Sequence, residues 1–151
     1  MQLEELEELW KTDSIISEYD LTKEALKIPQ LHSKYYKLYI REKILLLKYK
    51  ADYKKLKMEK YEFLTNPTEE GFDKGWKLPP QGKILKTELS TFLDGDSDLI
   101  NTELKLGVQE EKVFFLKSII DTINTRNFII KNMIEDRKFM NGGWFILYQK
   151  I

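Results

Sequence analysis

The first third of the chain has the apolar spacing of amphipathic helices. In residues 2–10, apolar side chains recur at helical spacing between carboxylates, which favours a short helix with acidic residues near its positive end. Asp20 precedes a second helical pattern, and we expect its carboxylate to accept hydrogen bonds from the next turn. Pro29 lies in this pattern and either kinks one helix or separates two. Neither Gly nor Pro occurs in the 35 residues from Gln30 to Leu64, which therefore predict a helix about 50 Å long.

Two apolar stripes follow this long helix. The first consists of Leu31, Tyr35, Leu38, Leu45, Tyr49 and Leu56. The second consists of Tyr36, Ile40, Ile44, Leu47, Ala51, Met58 and Tyr61. Because one apolar stripe is enough to pack a helix against a single neighbour, two stripes predict contacts with more than one neighbour.

The region after the long helix is less regular. Residues 65–83 contain three of the four prolines and three glycines, which predict a long loop. Within it, residues 72–77 mix aromatics, lysines and glycines, which suits a mobile clamp for a strand or a docking loop, while the alternative is that Trp76 folds back to cover the helix pair. Residues 84–106 place two apolar segments around the acidic run 94–98, a pattern that permits a β-hairpin or two helices joined by a turn. We expect short strands here.

A heptad pattern marks the last third of the chain. A second long helix is predicted from about Leu106 to Asn141, with a coiled-coil seam that Asn127 interrupts. The residues predicted to mediate oligomerisation are Val113, Leu116, Ile120, Ile123, Phe128, Ile130 and Ile134. Gly142 and Gly143 are predicted to end the helix, and the apolar tail 142–151 to pack or pair with another chain.

Charge is segregated along the chain although the 151 residues carry no net charge, with 25 basic and 25 acidic residues. Residues 1–26 hold two lysines against eight carboxylates, whereas residues 27–64 hold eleven basic residues against four acidic ones. Only the second segment is basic enough to indicate a polyanionic partner. The absence of cysteine excludes disulfides and thiol chemistry. No apolar run is long enough for a membrane span, and the N-terminus is acidic where a signal peptide needs a positive and then an apolar region. We therefore expect a soluble protein that does not bind membranes.

The basic residues of the long helix form two rows. One runs from Lys27 to Lys55 and the other from Lys43 to Lys57, both at intervals of seven. The longer row spans about 42 Å and suits the backbone of single-stranded DNA, while a merely solvated helix face is the open alternative. Nearby tyrosines either stack on bases or belong to the core. The predicted DNA-binding residues are Lys34, Arg41, Lys48, Lys50, Lys54, Lys55, Lys57 and Lys60.

No motif of enzymatic chemistry is present in the sequence. The phosphate-binding glycine motifs are missing, and the single histidine, His32, has no triad partners nearby. The acidic run 94–98 resembles the start of a calcium loop, but Leu99 and Lys105 occupy the positions that require Gly and Glu. We therefore expect no catalytic residues, no metal site and no cofactor.

Residues 123–131 (INTRNFIIK) and 136–139 (DRKF) resemble the closing helix of the UvsY family, the recombination mediators of tailed phages. Shorter motifs occur in the same order as in that family and extend the resemblance over most of residues 1–140. These motifs are Leu3-Glu4-Glu5-Leu6, Asp13, Ser33-Lys34-Tyr35, Lys86-Thr87 and Leu89-Ser90. A Lys-x-Arg pair of the family contributes to DNA binding. An ungapped match places it at Met58 and Lys60, whereas Lys55 and Lys57 preserve its basic spacing, so the resemblance indicates the cluster Lys54, Lys55, Lys57 and Lys60.

The resemblance implies a helical protomer that forms a ring-like homo-oligomer with single-stranded DNA on its outside. It implies that the protein helps to load the phage recombinase onto DNA covered by the phage single-strand-binding protein, in the host cytoplasm and without an active site. The alternative is a coiled-coil assembly or interaction module that does not bind DNA.

Combined with the sequence pattern, the resemblance predicts an all-α or mainly α fold with a short β-hairpin, in one domain. Its segments are an acidic arm (1–26), a basic long helix (27–64), a loop and hairpin region (65–106), a C-terminal helix (107–141) and an apolar tail (142–151).

Overall fold

The computed structural model describes residues 1–82 and 84–149, with side chains described up to residue 142. All regular secondary structure in this part of the chain is helical. The helices are α1 (Leu3–Asp13), α2 (Leu21–Thr65), α3 (Glu69–Asp73), α4 (Leu89–Asp94) and α5 (Ser97–Gln149). The predicted helical fold is confirmed, and the predicted β-hairpin is wrong. None of the helices described is both long and apolar enough to cross a membrane.

The long helix α2 begins as its sequence predicts. The Asp20 carboxylate accepts a hydrogen bond of 3.0 Å from the backbone N–H of Lys23, which satisfies an amide in the first turn of α2. The helix then continues through Pro29 to Thr65. Of the two alternatives for Pro29, the separation of two helices is therefore wrong.

The chain divides into two compact units, to which both α2 and α5 contribute. Unit 1 comprises Met1–Arg41 and Lys112–Ile151. Its core joins α1, the first part of α2 and the middle of α5 through Leu6, Tyr35, Leu116, Ile119, Ile120 and Ile123, all of which are buried. The Trp10 ring meets the Tyr35 ring edge-on, with 5.3 Å between centroids. Leu31, Tyr35 and Leu38 of the first apolar stripe thus pack inside this unit, as amphipathic spacing requires.

Unit 2 comprises Glu42–Glu111 and contains α3 and α4. Phe63 is buried at the end of α2, and its ring meets the Trp76 ring edge-on at 5.5 Å between centroids. Trp76 therefore packs onto the end of α2, in agreement with the covering alternative for this residue. Gly71 of α3 approaches the same ring so closely that a β-carbon there would overlap Phe63.

The segment expected to form a hairpin contains α4 and the start of α5. Leu89 and Leu93, four residues apart, are both buried, which is the spacing of one helix face. The Asp96 carboxylate accepts a hydrogen bond of 3.0 Å from the N–H of Leu99 and caps α5. The acidic turn thus ends α4 and starts α5, because Gly95 follows the last residue of α4 and the Asp96 carboxylate caps α5.

Helix α5 is longer than predicted at both ends. It begins at Ser97 rather than near Leu106, and it continues past Gly142 and Gly143 to Gln149. Gly142 does not adopt the positive φ with which a glycine commonly ends a helix, so the predicted stop is wrong. The predicted packing of the apolar tail 142–151 depends on side chains outside the described residues.

Candidate nucleic-acid interface

The lysines of α2 in unit 2 lie on two sides of the helix. Lys48, Lys50, Lys54, Lys55 and Lys57 are all exposed. At 3.6 residues per turn, two residues correspond to about 200° of rotation, so the two predicted rows face nearly opposite directions. We call Lys50, Lys54 and Lys57 the basic face, because their spacing of four and three residues places them on one side of the helix. Lys48 and Lys55 lie on the other side.

An apolar strip separates these two rows of lysines. Ile44, Leu47 and Met58 belong to the second apolar stripe of the sequence and are 62%, 60% and 58% exposed. The second stripe therefore does not pack inside unit 2. Its predicted contact with a further neighbour stays a prediction.

Two cations of the basic face are available to a ligand. Neither Lys54 nor Lys57 forms an ion pair with a carboxylate in the part of the chain that the structure describes. Lys50 lies 3.8 Å from a carboxylate oxygen of Glu110, but both side chains are about half exposed. Such a pair contributes little in water and can be exchanged for a phosphate. The basic face thus presents three ammonium groups to solvent.

A cleft lies beside the basic face, between α2 and α4, and we call it the Tyr61 cleft. Its first part, of about 570 Å³, is lined by Lys54, Lys57, Met58, Tyr61 and Leu93. A second part of about 280 Å³ shares three of these residues and adds Lys86, Ser90 and Asp94 among others. Tyr61 is 39% exposed, so a ligand can reach its ring. The cleft combines an aromatic surface with three lysines and one aspartate.

Lys60 has a different environment from the other lysines of the predicted cluster. It is only 5% exposed, and its ammonium nitrogen lies 2.7 Å from Asp98 and 3.2 Å from Asp96. The same nitrogen lies 4.3 Å from the centre of the Trp76 ring. Lys60 therefore holds the acidic turn and Trp76 against α2, and we leave it out of the surface offered to DNA.

The two predicted DNA-binding residues of unit 1 also differ from one another. Arg41 is exposed. The Lys34 nitrogen lies 2.6 Å from the Asp13 carboxylate, which also accepts a hydrogen bond of 2.8 Å from the Tyr35 hydroxyl. Burial alone would raise the pKa of Asp13, but the hydrogen bonds from Lys34 and Tyr35 outweigh it and lower the pKa. Lys34 is thus engaged in holding α1 to α2.

Most of the residues predicted to mediate oligomerisation lie in the interior of unit 1. Leu116, Ile120, Ile123 and Ile130 are buried, and Val113 is partly buried. Phe128 is 62% exposed, and Ile134 is 36% exposed. Phe114, two heptads before Phe128 on the same side of α5, is 71% exposed. The heptad seam thus builds the fold of the protomer, while Phe114 and Phe128 are among the apolar residues of α5 that are exposed and available to a second copy.

Sequence reasoning missed one residue of the cleft, Lys86, and one of the exposed face of α5, Phe114, and it left the role of Tyr61 open between stacking on a base and packing in the core. Lys86 carried no local signal, because its proximity to Tyr61 depends on the path of the chain from α2 to α4. Tyr61 was weighed only as one of several tyrosines among lysines. Phe114 was detectable, since it precedes Phe128 by two intervals of seven.

Comparisons with known proteins agree on one family. The family described as "Recombination, repair and ssDNA binding protein UvsY" matches residues 9–143. The chain is similar to a crystal structure of the bacteriophage T4 recombination mediator protein UvsY in lattice type II, with a TM-score of 0.80 and 25% identity over 94% of this chain and 99% of that chain. Lattice type IV of the same protein gives a TM-score of 0.75 and 24% identity over 93% and 99%, a likeness of fold. No curated protein matches.

Proposed function

Because the chain belongs to the UvsY family of recombination, repair and single-stranded-DNA-binding proteins, we propose that it binds single-stranded DNA and acts as a recombination mediator. The observation that carries this proposal is the basic face of α2, where Lys54 and Lys57 are exposed and have no ion pair within the described part of the chain. Cations in this state gain most from a polyanion, since no existing pair has to be broken.

The basic face binds phosphates without reading sequence. Lysine is a flexible point charge, and its contacts with phosphate oxygens carry no information about the base. Each neutralised phosphate of a single strand releases counterions. For each such contact, the logarithm of the affinity therefore falls by about 0.7 for every tenfold rise in salt concentration. A non-specific and salt-sensitive interaction suits a protein that must act on any single strand.

Assembly into a homo-oligomer multiplies these weak contacts. A second copy that covers the exposed rings of Phe114 and Phe128 would remove a large apolar surface from water. Several basic faces on one particle then bind the same strand, and each further contact forms at a high effective concentration. The single chain needs only a modest affinity for DNA.

As a mediator, the oligomer holds the DNA backbone while the phage recombinase replaces the phage single-strand-binding protein. Contacts with phosphates leave the bases accessible along most of the strand, so a recombinase can bind the same segment. The protein turns over no substrate in this role, because its contribution is the positioning of DNA and partners.

Fluorescence anisotropy of a labelled oligonucleotide distinguishes the proposal from the alternative of an assembly module without DNA binding. We expect binding at micromolar concentration or tighter in low salt, and release as salt is added. Absence of binding in low salt would contradict the proposal and favour the alternative. The mass of the particle, measured by light scattering with and without the oligonucleotide, gives the oligomeric state.

The mediator role requires a separate assay. Assembly of the recombinase is followed on DNA already covered by the single-strand-binding protein, with and without this chain. We expect the wild-type chain to accelerate assembly of the recombinase. The variant that combines Lys54→Gln and Lys57→Gln should accelerate it much less. If the protein binds DNA but leaves the rate of assembly unchanged, the mediator role is refuted while the binding of DNA stands.

A further inference from the structure

We propose that the Tyr61 cleft holds one nucleotide of the bound strand, with the base on the Tyr61 ring and the adjacent phosphates at Lys54, Lys57 and Lys86. This inference rests on the proposed binding of single-stranded DNA and specifies where a base, rather than only the backbone, is bound. Stacking on an aromatic ring tolerates every base and therefore adds affinity without sequence preference.

The dimensions of the cleft suit a nucleotide. The larger part has a volume of about 570 Å³ and the adjoining part about 280 Å³. Small-ligand sites commonly have volumes of about 300–1,000 Å³. Met58 and Leu93 give the larger part an apolar lining around the tyrosine. A base entering here leaves water for an apolar and aromatic surface.

The charges around the cleft favour the phosphates of a strand over a neutral ligand. Lys54 and Lys57 lie on the α2 side, and Lys86 lies at the other wall, just before α4. None of the three forms an ion pair with any residue whose side chain the structure describes. Among the described residues that line the cleft, Asp94 is the single carboxylate, and Ser90 lines the same part. Three positive charges against one negative charge leave the cleft electropositive, and Asp94 and Ser90 offer acceptors to the amino groups of a base.

Tyr61 is available because the fold does not use it as a core residue. Tyr35 is completely buried in unit 1, whereas Tyr61 is 39% exposed at the edge of α2. Lys57 precedes Tyr61 by four residues, so the two side chains are neighbours on the helix surface. A base on the ring would therefore lie next to an ammonium group that can bind its phosphate.

The experiment compares a thymidine oligonucleotide with an abasic strand that has the same number of phosphates. Wild-type protein is expected to bind the thymidine strand more tightly. Tyr61→Leu keeps an apolar side chain but removes the ring, so its affinity for the thymidine strand should fall about fivefold or more, while its affinity for the abasic strand stays unchanged. Tyr36→Leu is the matched control, because Tyr36 is also exposed on α2 but lies outside the cleft, and it should alter neither affinity.

Two further measurements locate the contact. Lys86→Gln should make the plot of log affinity against log salt concentration less steep, by about 0.7 in slope, for both strands. A strand containing 5-iodouracil should crosslink to Tyr61 under ultraviolet light, and the crosslinked peptide is identified by mass spectrometry. Crosslinking confined to other aromatic residues would overturn the inference.

The outcomes separate the inference from the proposed function. If the wild-type protein binds neither strand, both fail. If it binds the two strands equally, or if Tyr61→Leu binds like the wild type, the cleft does not hold a base while the binding of the backbone stands. A smaller particle mass for Tyr61→Leu would place the residue in a subunit contact and overturn the inference.

Discussion

The guanidinium of Arg126 and the carboxylate of Glu24 are separated by 102 residues in sequence and meet inside unit 1 at 3.1 Å. Their side chains are only 4% and 3% exposed. The same guanidinium donates hydrogen bonds of 2.9 and 3.0 Å to the backbone carbonyls of Asp13, the last residue of α1, and Ile15, two residues later. One side chain of α5 therefore fixes both the connection from α1 to α2 and the first turn of α2.

Removing the carboxylate of this pair should destabilise the protein strongly. Glu24→Gln leaves the Arg126 charge buried without its counterion, a change that commonly lowers the free energy of unfolding by about 3–5 kcal/mol. Urea denaturation measures the loss. Glu18→Gln is the control, because Glu18 is exposed and should change the stability by less than about 0.5 kcal/mol. Equal effects of the two substitutions would show that the buried pair does not stabilise the fold.

The same pair predicts how stability depends on pH. Burial alone would raise the pKa of Glu24, but hydrogen bonds from Lys27 and Arg126 outweigh it and lower the pKa below the ordinary value of 4.5. A carboxyl with a lowered pKa in the folded state stabilises the protein above its ordinary pKa, and this contribution is lost as the pH falls through the folded-state pKa. Denaturation below pH 4.5 should therefore show falling stability, with a flatter dependence for Glu24→Gln. Parallel pH curves for the two proteins would contradict the assignment.

The close approach of α3 to α2 depends on a glycine. Gly71→Ala should lower the free energy of unfolding by about 1–3 kcal/mol, because a β-carbon there would overlap the Phe63 ring and the packing has to shift. Gly107→Ala is the matched control inside α5, where a β-carbon has no close neighbour. This second change should stabilise the protein by up to about 1 kcal/mol through helix propensity. Thermal denaturation of both variants tests whether the first substitution lowers the melting temperature and the second raises it.

The exposed face of α5 predicts a separation of assembly from folding. Phe128→Glu should reduce the particle mass in light scattering, since each interface side chain of this size contributes about 1.5–3 kcal/mol when buried, and should leave the helical circular dichroism unchanged. Ile123→Glu should instead unfold unit 1, because Ile123 is completely buried. Thr125→Glu controls for the added charge at an exposed position. An unchanged mass for Phe128→Glu would exclude this face from the subunit contact.

Local patterns predicted the helices well because each signal lies within one or two turns. The cap at Asp20 and the absence of Gly and Pro from residues 30–64 were sufficient for most of α2. Residues 84–106 failed because their apolar segments are too short to distinguish a strand from a helix. The stop at Gly142 failed because a glycine ends a helix only where its backbone takes the required conformation.

The sequence predicted the positive charge of the site, but it did not predict which lysines are exposed and free of ion pairs. The lysine-rich sequence of α2 predicted a basic surface, and Lys54 and Lys57 are exposed there. The burial of Lys60 depends on Asp98, 38 residues later, and no local pattern indicates that pairing. The same holds for Lys86, which reaches the Tyr61 cleft from another part of the chain.

The salt dependence of DNA binding tests most directly the central claim that the basic face of α2 binds the phosphates of a single strand. Anisotropy titrations over a range of salt concentrations are compared for the wild type, for Lys54→Gln with Lys57→Gln, and for Lys117→Gln with Lys131→Gln, two exposed lysines of α5. The first variant should lose about 0.7 of the logarithmic slope for each phosphate contact removed, and the second should keep the wild-type slope. Equal slopes for the wild type and the first variant, or equal losses in both variants, would contradict the claim.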